Sequence, residues 1–186
     1  TDGVASHIAS GAVEPGSWNS TLGTTLVIKG ITSELLLDPQ QRIYSHRHPE
    51  GWWMPGGASN TGAEWIAVEF AADEPARMDQ LAKQQLPTRL IRYPLVRVGE
   101  RFPFRHPQAT GFWIGEPETQ GQAFAAGLEG LALVERLAYE TLGVIGAQVG
   151  EKIYVTGGGA KSEVWLRVRA STLEKIMCKP QVSDTA

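Results

Sequence analysis

The sequence predicts an α/β fold, on three observations. Residues 19–32, NSTLGTTLVIKGIT, are enriched in β-branched residues and broken by Gly23 and Gly30, as in a hairpin over 18–29. Residues 119–142 carry the longest helical pattern in the chain. Residues 152–172, KIYVTGGGAKSEVWLRVRAST, pass from a short β-rich run through three glycines into a second helical pattern. Strands and short helices, then a long helix, a strand and a helix, is the order of an α/β domain, with both 18–29 and 152–156 expected in one sheet.

The elements follow in order. Val4, Ile8 and Ala12 recur at i, i+4 and i+8, predicting a short helix over 3–12 with Asp2 near its start. Glu14-Pro15-Gly16 is a turn. Residues 42–54 read as a strand pair that Pro55-Gly56-Gly57 should break, and Trp65, Val68, Glu69 and Ala72 predict a helix from Asn60. A second helix is expected over 76–86, ended by Pro87. The prolines and glycines of 88–115 predict irregular structure with short strands. In the long helix, Leu128, Leu131, Val134 and Ala138 supply an apolar stripe. Its Ala123, Ala126, Gly127, Gly130 and Ala132 form a smooth face on which another element can sit close. The last helix should carry Leu166, Ala170, Leu173 and Met177 on one side.

Composition narrows the function classes. The chain has 186 residues, 42% hydrophobic and 20% charged, which suits a globular domain. No apolar run reaches membrane-spanning length. A net charge of −3 gives no reason to expect nucleic acid or an anionic membrane as partner. Five arginines crowd 89–105, as a phosphate or nucleic-acid patch would, but Pro94 and Pro103 forbid one basic helix, so scattered arginines, solvated or paired with acids such as Glu100, are expected. His46 and His48 would share a strand face; with no third ligand near, exposed strand histidines are expected rather than zinc. The six tryptophans are expected mostly in the core. Cys178 is alone, which excludes an internal disulfide and fits a reducing, cytoplasmic setting.

The chemistry-bearing features are backbone-rich. A glycine turn between strand and helix lets N–H groups approach a ligand with no Cβ in the way. Lys161-Ser162 suggests a Walker A loop, but Val155 and Ala160 occupy both of its glycine positions. A dinucleotide fingerprint would need glycine where Ser162 stands. A nucleotide turn and an ordinary packing turn both remain open at 157–160. Gly23-Thr24-Thr25 offers two hydroxyl donors beside accessible backbone, a combination suited to phosphate. Asp2 could cap a helix or act as a general base.

Taken in order, these segments resemble the C-terminal domain of the FGGY carbohydrate kinases, in the actin-like ATPase superfamily. TDGVASHIASGAVEPGSWNSTLGTT resembles the stretch from the family's catalytic aspartate to its G-T-S/T phosphate motif. PGGASNTGAEW is similar to its Gly-rich turn before a Trp-bearing helix, and PLVRVGERFPFRHPQATGFWIG to its G-E-R-x-P segment. TQGQAFAAGLEGLALVERLAYETL resembles the signature helix, and VTGGGAKSEVWLRVRAST the adenosine motif.

The resemblance implies an actin-like, ribonuclease-H-like ATPase fold with a mixed central sheet flanked by helices. It implies that residues 1–186 are a single domain cut at both ends, with an N-terminal sugar-binding domain as its missing partner. ATP and Mg²⁺ are the implied cofactors, the Mg²⁺ ligands lying mainly in that other domain, where the family's D-x-G-S/T loop belongs. Asp2 matches the catalytic base, Gly23 and Thr24 the phosphate contacts with Thr25 beside them, and Gly62 a position beside the nucleotide that Asn60 could take instead. Gly158, Gly159 and Ala160 match the turn approaching the nucleoside. Ser162 stands where some relatives carry a base-contacting amide. The implied reaction is phosphorylation of a small sugar, a ketopentose such as xylulose or ribulose first, a polyol such as glycerol second. A nucleotide-binding module without chemistry is the alternative from another class, and a second copy of the chain is a candidate partner. The isolated chain is expected to fold, to bind adenine nucleotide weakly if at all, and to phosphorylate nothing.

Overall fold

A computed structural model describes residues 7–70 and 75–180. Of the expected helix over 3–12, residues 3–6 lie outside them; residues 7–9 are helical and 10–12 are not. A hairpin follows, β1 (Trp18–Leu22) and β2 (Leu26–Gly30), then β3 (Tyr44–Arg47) and β4 (Trp53–Ala58). Two short helices, α1 (Glu64–Glu69) and α2 (Pro75–Lys83), precede the small strands β5 (Ile91–Tyr93) and β6 (Phe112–Ile114). The long helix α3 (Gln120–Ile145), β7 (Lys152–Thr156), α4 (Glu163–Leu173) and β8 (Ile176–Cys178) complete the domain.

The main sheet has the order β3-β4-β2-β1-β7-β8, with β5 and β6 forming a separate pair. The hairpin and β7 do share one sheet. β1 pairs antiparallel with β2 and parallel with β7, so the sheet is mixed as expected. Strand alternation sends Trp18, Ser20, Leu22, Ile153 and Val155 into the core shared with α3 and α4. The Ser20 and Tyr139 hydroxyls meet at 2.8 Å across that interface.

The smooth face of α3 is used as its small residues predict. An added Cβ at Gly127 would stand 2.5 Å from the Trp65 ring, and one at Gly130 would stand 2.0 Å from the Arg92 carbonyl oxygen. Thr119 caps the helix by accepting the Gln122 N–H at 3.1 Å, and Gly146 ends it at φ 106°.

Five expectations change in whole or in part. Pro55-Gly56-Gly57 does not break a strand; it lies inside β4. β2 pairs with β4 only from Gly56 onward, leaving Pro55 just outside that ladder, and Gly57 lets the Phe102 ring lie against the sheet, 2.6 Å from where a Cβ would be. Met177 is not on the last helix: α4 stops at Leu173, Glu174 turns left-handed at φ 55°, and Met177 enters β8. The histidines are not exposed. His46 is half-buried, while His48 is buried, stacked on Trp52 at 5.2 Å, with its Nδ1 accepting the Glu50 N–H. Trp18, Trp65 and Trp165 are core, but Trp52 and Trp53 are only partly buried, and Trp113 is exposed, with the Arg92 guanidinium against its ring. The arginine reading holds in kind but not in partner: Arg92 pairs with Glu69 and Arg97 with Glu64, and Glu100 is used elsewhere.

Candidate nucleotide site

Because β1 and β7 run parallel with Thr21 beside Thr156, their carboxyl ends open at the same edge of the sheet. The turn at 23–25 leaves one strand and the turn at 157–160 leaves the other. In open α/β sheets this edge is where ligands are met. Gly157 has φ 82°, and a Cβ there would lie 2.5 Å from the Leu22 carbonyl oxygen. A Cβ at Gly159 would lie 2.4 Å from the Leu22 side chain. Glycine at both positions lets the second turn fold down onto the end of β1.

A third segment joins them. Gly62 packs so closely on the hairpin turn that an added Cβ would stand 2.3 Å from the Thr24 carbonyl oxygen. Backbone bonds lock the approach: Ala63 N–H donates to the Gly23 carbonyl at 2.8 Å, and Leu26 N–H to the Thr61 carbonyl at 3.0 Å. Gly23, Thr24, Thr25, Gly62 and Gly157–Ala160 are thus brought together through residues about 130 positions apart in sequence. Thr24 is exposed at the tip.

Two expected residues serve other ends. The Asn60 side chain turns away, its Nδ2 donating to the Gly99 carbonyl at 2.8 Å, so Gly62 is the residue against the threonine turn. Ser162 caps α4, its hydroxyl accepting the Trp165 N–H at 3.0 Å. Ser162 also bears on the Asp79 carboxyl of α2, whose pKa burial raises while Ser162 opposes the shift. Asp79 carries no local signal in the sequence that would join it to a residue 83 positions later. Ala160 closes a single 3₁₀ turn, its N–H donating to the Gly157 carbonyl at 3.1 Å. Asp2 lies outside the described residues.

Beneath the turns, on the sheet face away from α3, Asn19, Thr21 and Thr156 form a polar cluster missed in the sequence. Asn19 Nδ2 donates to Thr21 Oγ1 at 2.9 Å and to Thr156 Oγ1 at 3.2 Å, and the two threonine hydroxyls meet at 2.8 Å. His7 is buried, and burial first, then Lys29 and His48, lower its pKa to about 4. It is therefore neutral near pH 7. A larger cavity of about 580 Å³ opens between α2, α3 and α4, but none of the turns lines it.

The arrangement offers backbone N–H groups, small hydroxyls and uncharged turns, which suit a phosphate chain and a nucleoside more than a metal. Among the described residues no cluster of His, Cys, Asp and Glu could hold an ion. Gly158 is exposed, and nothing lies within 4 Å of a Cβ built on it. Gly158→Val is therefore expected to leave thermal stability within about 1 kcal/mol of wild type, as for other surface changes. If this turn meets a nucleotide, the variant should still weaken adenine-nucleotide binding, because the new side chain would stand where the backbone approaches the ligand. Unchanged nucleotide affinity by calorimetry would make 157–160 a packing turn.

Comparison with known proteins agrees with this layout. The C-terminal domain of the FGGY family of carbohydrate kinases matches residues 18–186. A gluconokinase of Bacillus licheniformis is 27% identical over 206 residues, covering 100% of this chain and 40% of the relative. The xylulose kinase of Escherichia coli strain K12 is 23% identical, covering 91% of this chain and 36% of that protein. The solved xylulose kinase of Rhodospirillum rubrum superposes with a TM-score of 0.81 at 27% identity, covering 96% of this chain and 37% of the other. The chain thus spans about two fifths of the length of the curated relatives it matches. With five ordered motifs, a mixed sheet of the expected topology and a match over nearly its whole length, this chain belongs to the FGGY family of carbohydrate kinases, as its C-terminal domain.

Proposed function

We propose that this domain supplies the nucleotide side and the catalytic base of an ATP-dependent sugar kinase. The observation that carries the reading is the convergence of the 23–25 turn, Gly62 and the 157–160 turn at the carboxyl ends of β1 and β7. In this reading Gly23, Thr24 and Thr25 meet the phosphates, and Gly158, Gly159 and Ala160 meet the nucleoside. Asp2 accepts the proton of the attacking sugar hydroxyl. Ser162 acts through its cap, holding the amino end of α4 against the turn rather than reading the base.

Phosphoryl transfer asks a protein mainly for positioning and charge stabilisation. A bound Mg²⁺ would supply positive charge against the charge that develops on the phosphates, while the turns of this domain would supply N–H and hydroxyl donors. In this reading the turns serve the phosphates, and the ligands of the ion come mainly from the sugar-binding half, as the family resemblance implies. A half-cleft cannot exclude water or fix an in-line geometry, so the isolated chain should bind nucleotide weakly and turn over no sugar.

The proposed substrate is a ketopentose, xylulose or ribulose. Gluconate is the second reading, because gluconokinases are among the relatives; glycerol is third. A panel of these four compounds, scored by ADP release from a protein joining this domain to a sugar-binding half, ranks them. Turnover highest with a ketopentose is the expected result, and none with any compound would reject the enzyme reading.

A further inference from the structure

One buried carboxylate stands behind the proposed phosphate turn without touching it. Glu100 is 4% exposed, and no cation is among the hydrogen-bond and ion-pair partners found for it in the described residues. Removing a carboxylate from water is costly unless hydrogen bonds replace its hydration. Here five donors do so. Its Oε2 accepts the hydroxyls of Ser59, Thr61 and Tyr93, each at 2.8 Å. Its Oε1 accepts the N–H of Asn60 at 2.7 Å and that of Arg101 at 2.9 Å.

Three of these donors, Ser59, Asn60 and Thr61, are consecutive and lead directly into Gly62. The same segment is stitched to the hairpin: Ser59 N–H donates to the Leu26 carbonyl at 2.9 Å, and the Thr61 carbonyl accepts the Leu26 N–H. Gly62 then rests on Thr24 and Thr25. The path from Glu100 to the turn is short, rigid and made of named bonds. A contact needed only for packing would be met as well by an apolar side chain. Matching one carboxylate to three successive residues fixes the course of that loop.

We propose that Glu100 is a positioning residue for the phosphate-contacting turn, holding 59–62 so that Gly62 sets the height of Thr24 and Thr25. This rests on the proposed function above and goes beyond it, adding a residue that reaches the nucleotide only through another segment.

The test measures binding of MgATP and of adenosine to the 186-residue chain and its variants by ligand-observed NMR. Thr61→Val removes one hydroxyl from a fully buried position with little change of shape. It and Glu100→Ala should weaken MgATP about tenfold, the scale of one charge-assisted hydrogen bond, and leave adenosine unchanged. Glu100→Gln should stay close to wild type. Its amide oxygen can face the two N–H donors, which cannot invert, while the two N–H groups of its NH₂ can donate to two of the three hydroxyls, which turn to accept, and the third hydroxyl turns to another acceptor.

Should Glu100→Ala fail to fold, Thr61→Val still decides. Equal weakening of MgATP and adenosine, in step with lost thermal stability, would make Glu100 a scaffold residue and overturn the proposal. MgATP affinity unchanged in a folded Thr61→Val would also overturn it while leaving the proposed function standing. If the wild-type chain binds MgATP no better than adenosine, the phosphate role of 23–25 fails, and this inference falls with it.

Discussion

Glu135→Ala is expected to destabilise the domain by about 3–5 kcal/mol, the range for breaking a buried ion pair from one side. Arg169 is 0% exposed, and Glu135 is 1% exposed. The Arg169 guanidinium donates from Nε to Oε2 at 2.7 Å and from Nη2 to Oε1 at 2.9 Å, tying α4 to α3. Its Nη1 already has no partner, so removing the carboxylate would strand the whole charge between two packed helices. For a domain of this size the melting temperature should fall by roughly 6–20 °C. Replacing both partners with leucine should recover much of that loss, because a well-packed apolar pair avoids the desolvation cost. A scanning-calorimetry shift below about 2 °C in Glu135→Ala would show that the guanidinium finds another partner, removing this pair as the tie between the helices.

Asp2→Asn should lower turnover of the joined kinase by about a hundredfold to ten-thousandfold, the usual contribution of a positioned general base. Asparagine keeps the size and polarity of the side chain but cannot take the sugar proton. Nucleotide affinity should not change, since the residues proposed to meet ATP lie on the turns after β1 and β7. A fall in kcat with ATP binding retained is the signature of an interaction made only in the transition state. Unchanged turnover would strip Asp2 of its role. Nucleotide binding with no turnover in the parent enzyme would favour a module that has lost its chemistry.

Much of the architecture was legible because its signals are local. The β-branched run around Gly23 reads as a hairpin, and β7 and the 26-residue α3 follow from short-range pattern alone. Gly127 and Gly130 announce close packing in advance, since few other reasons place two glycines inside a long helix. The glycine turns were found for the same reason, and order along the chain identified the family. What packs against what was not legible. Pro55-Gly56-Gly57 looks like a break because its local propensity is poor, yet Phe102, 45 residues after Gly57, needs the flat surface that glycine leaves. Asn60 and Gly62 could not be separated in sequence; in the fold the Asn60 side chain bonds the Gly99 carbonyl, while Gly62 lies against Thr24.

The settings of Glu100, Asp79, and the Asn19, Thr21 and Thr156 cluster were invisible in the sequence, because each is defined by partners on other elements. Glu100 looked like a surface mate for arginine, and burial beside three hydroxyls and two N–H groups made it an internal clamp. The chain's own pattern determined the elements and the family, because propensity and periodicity act over a few residues. Only the tertiary structure decided which polar groups meet, because a buried donor must find its acceptor wherever the fold brings one.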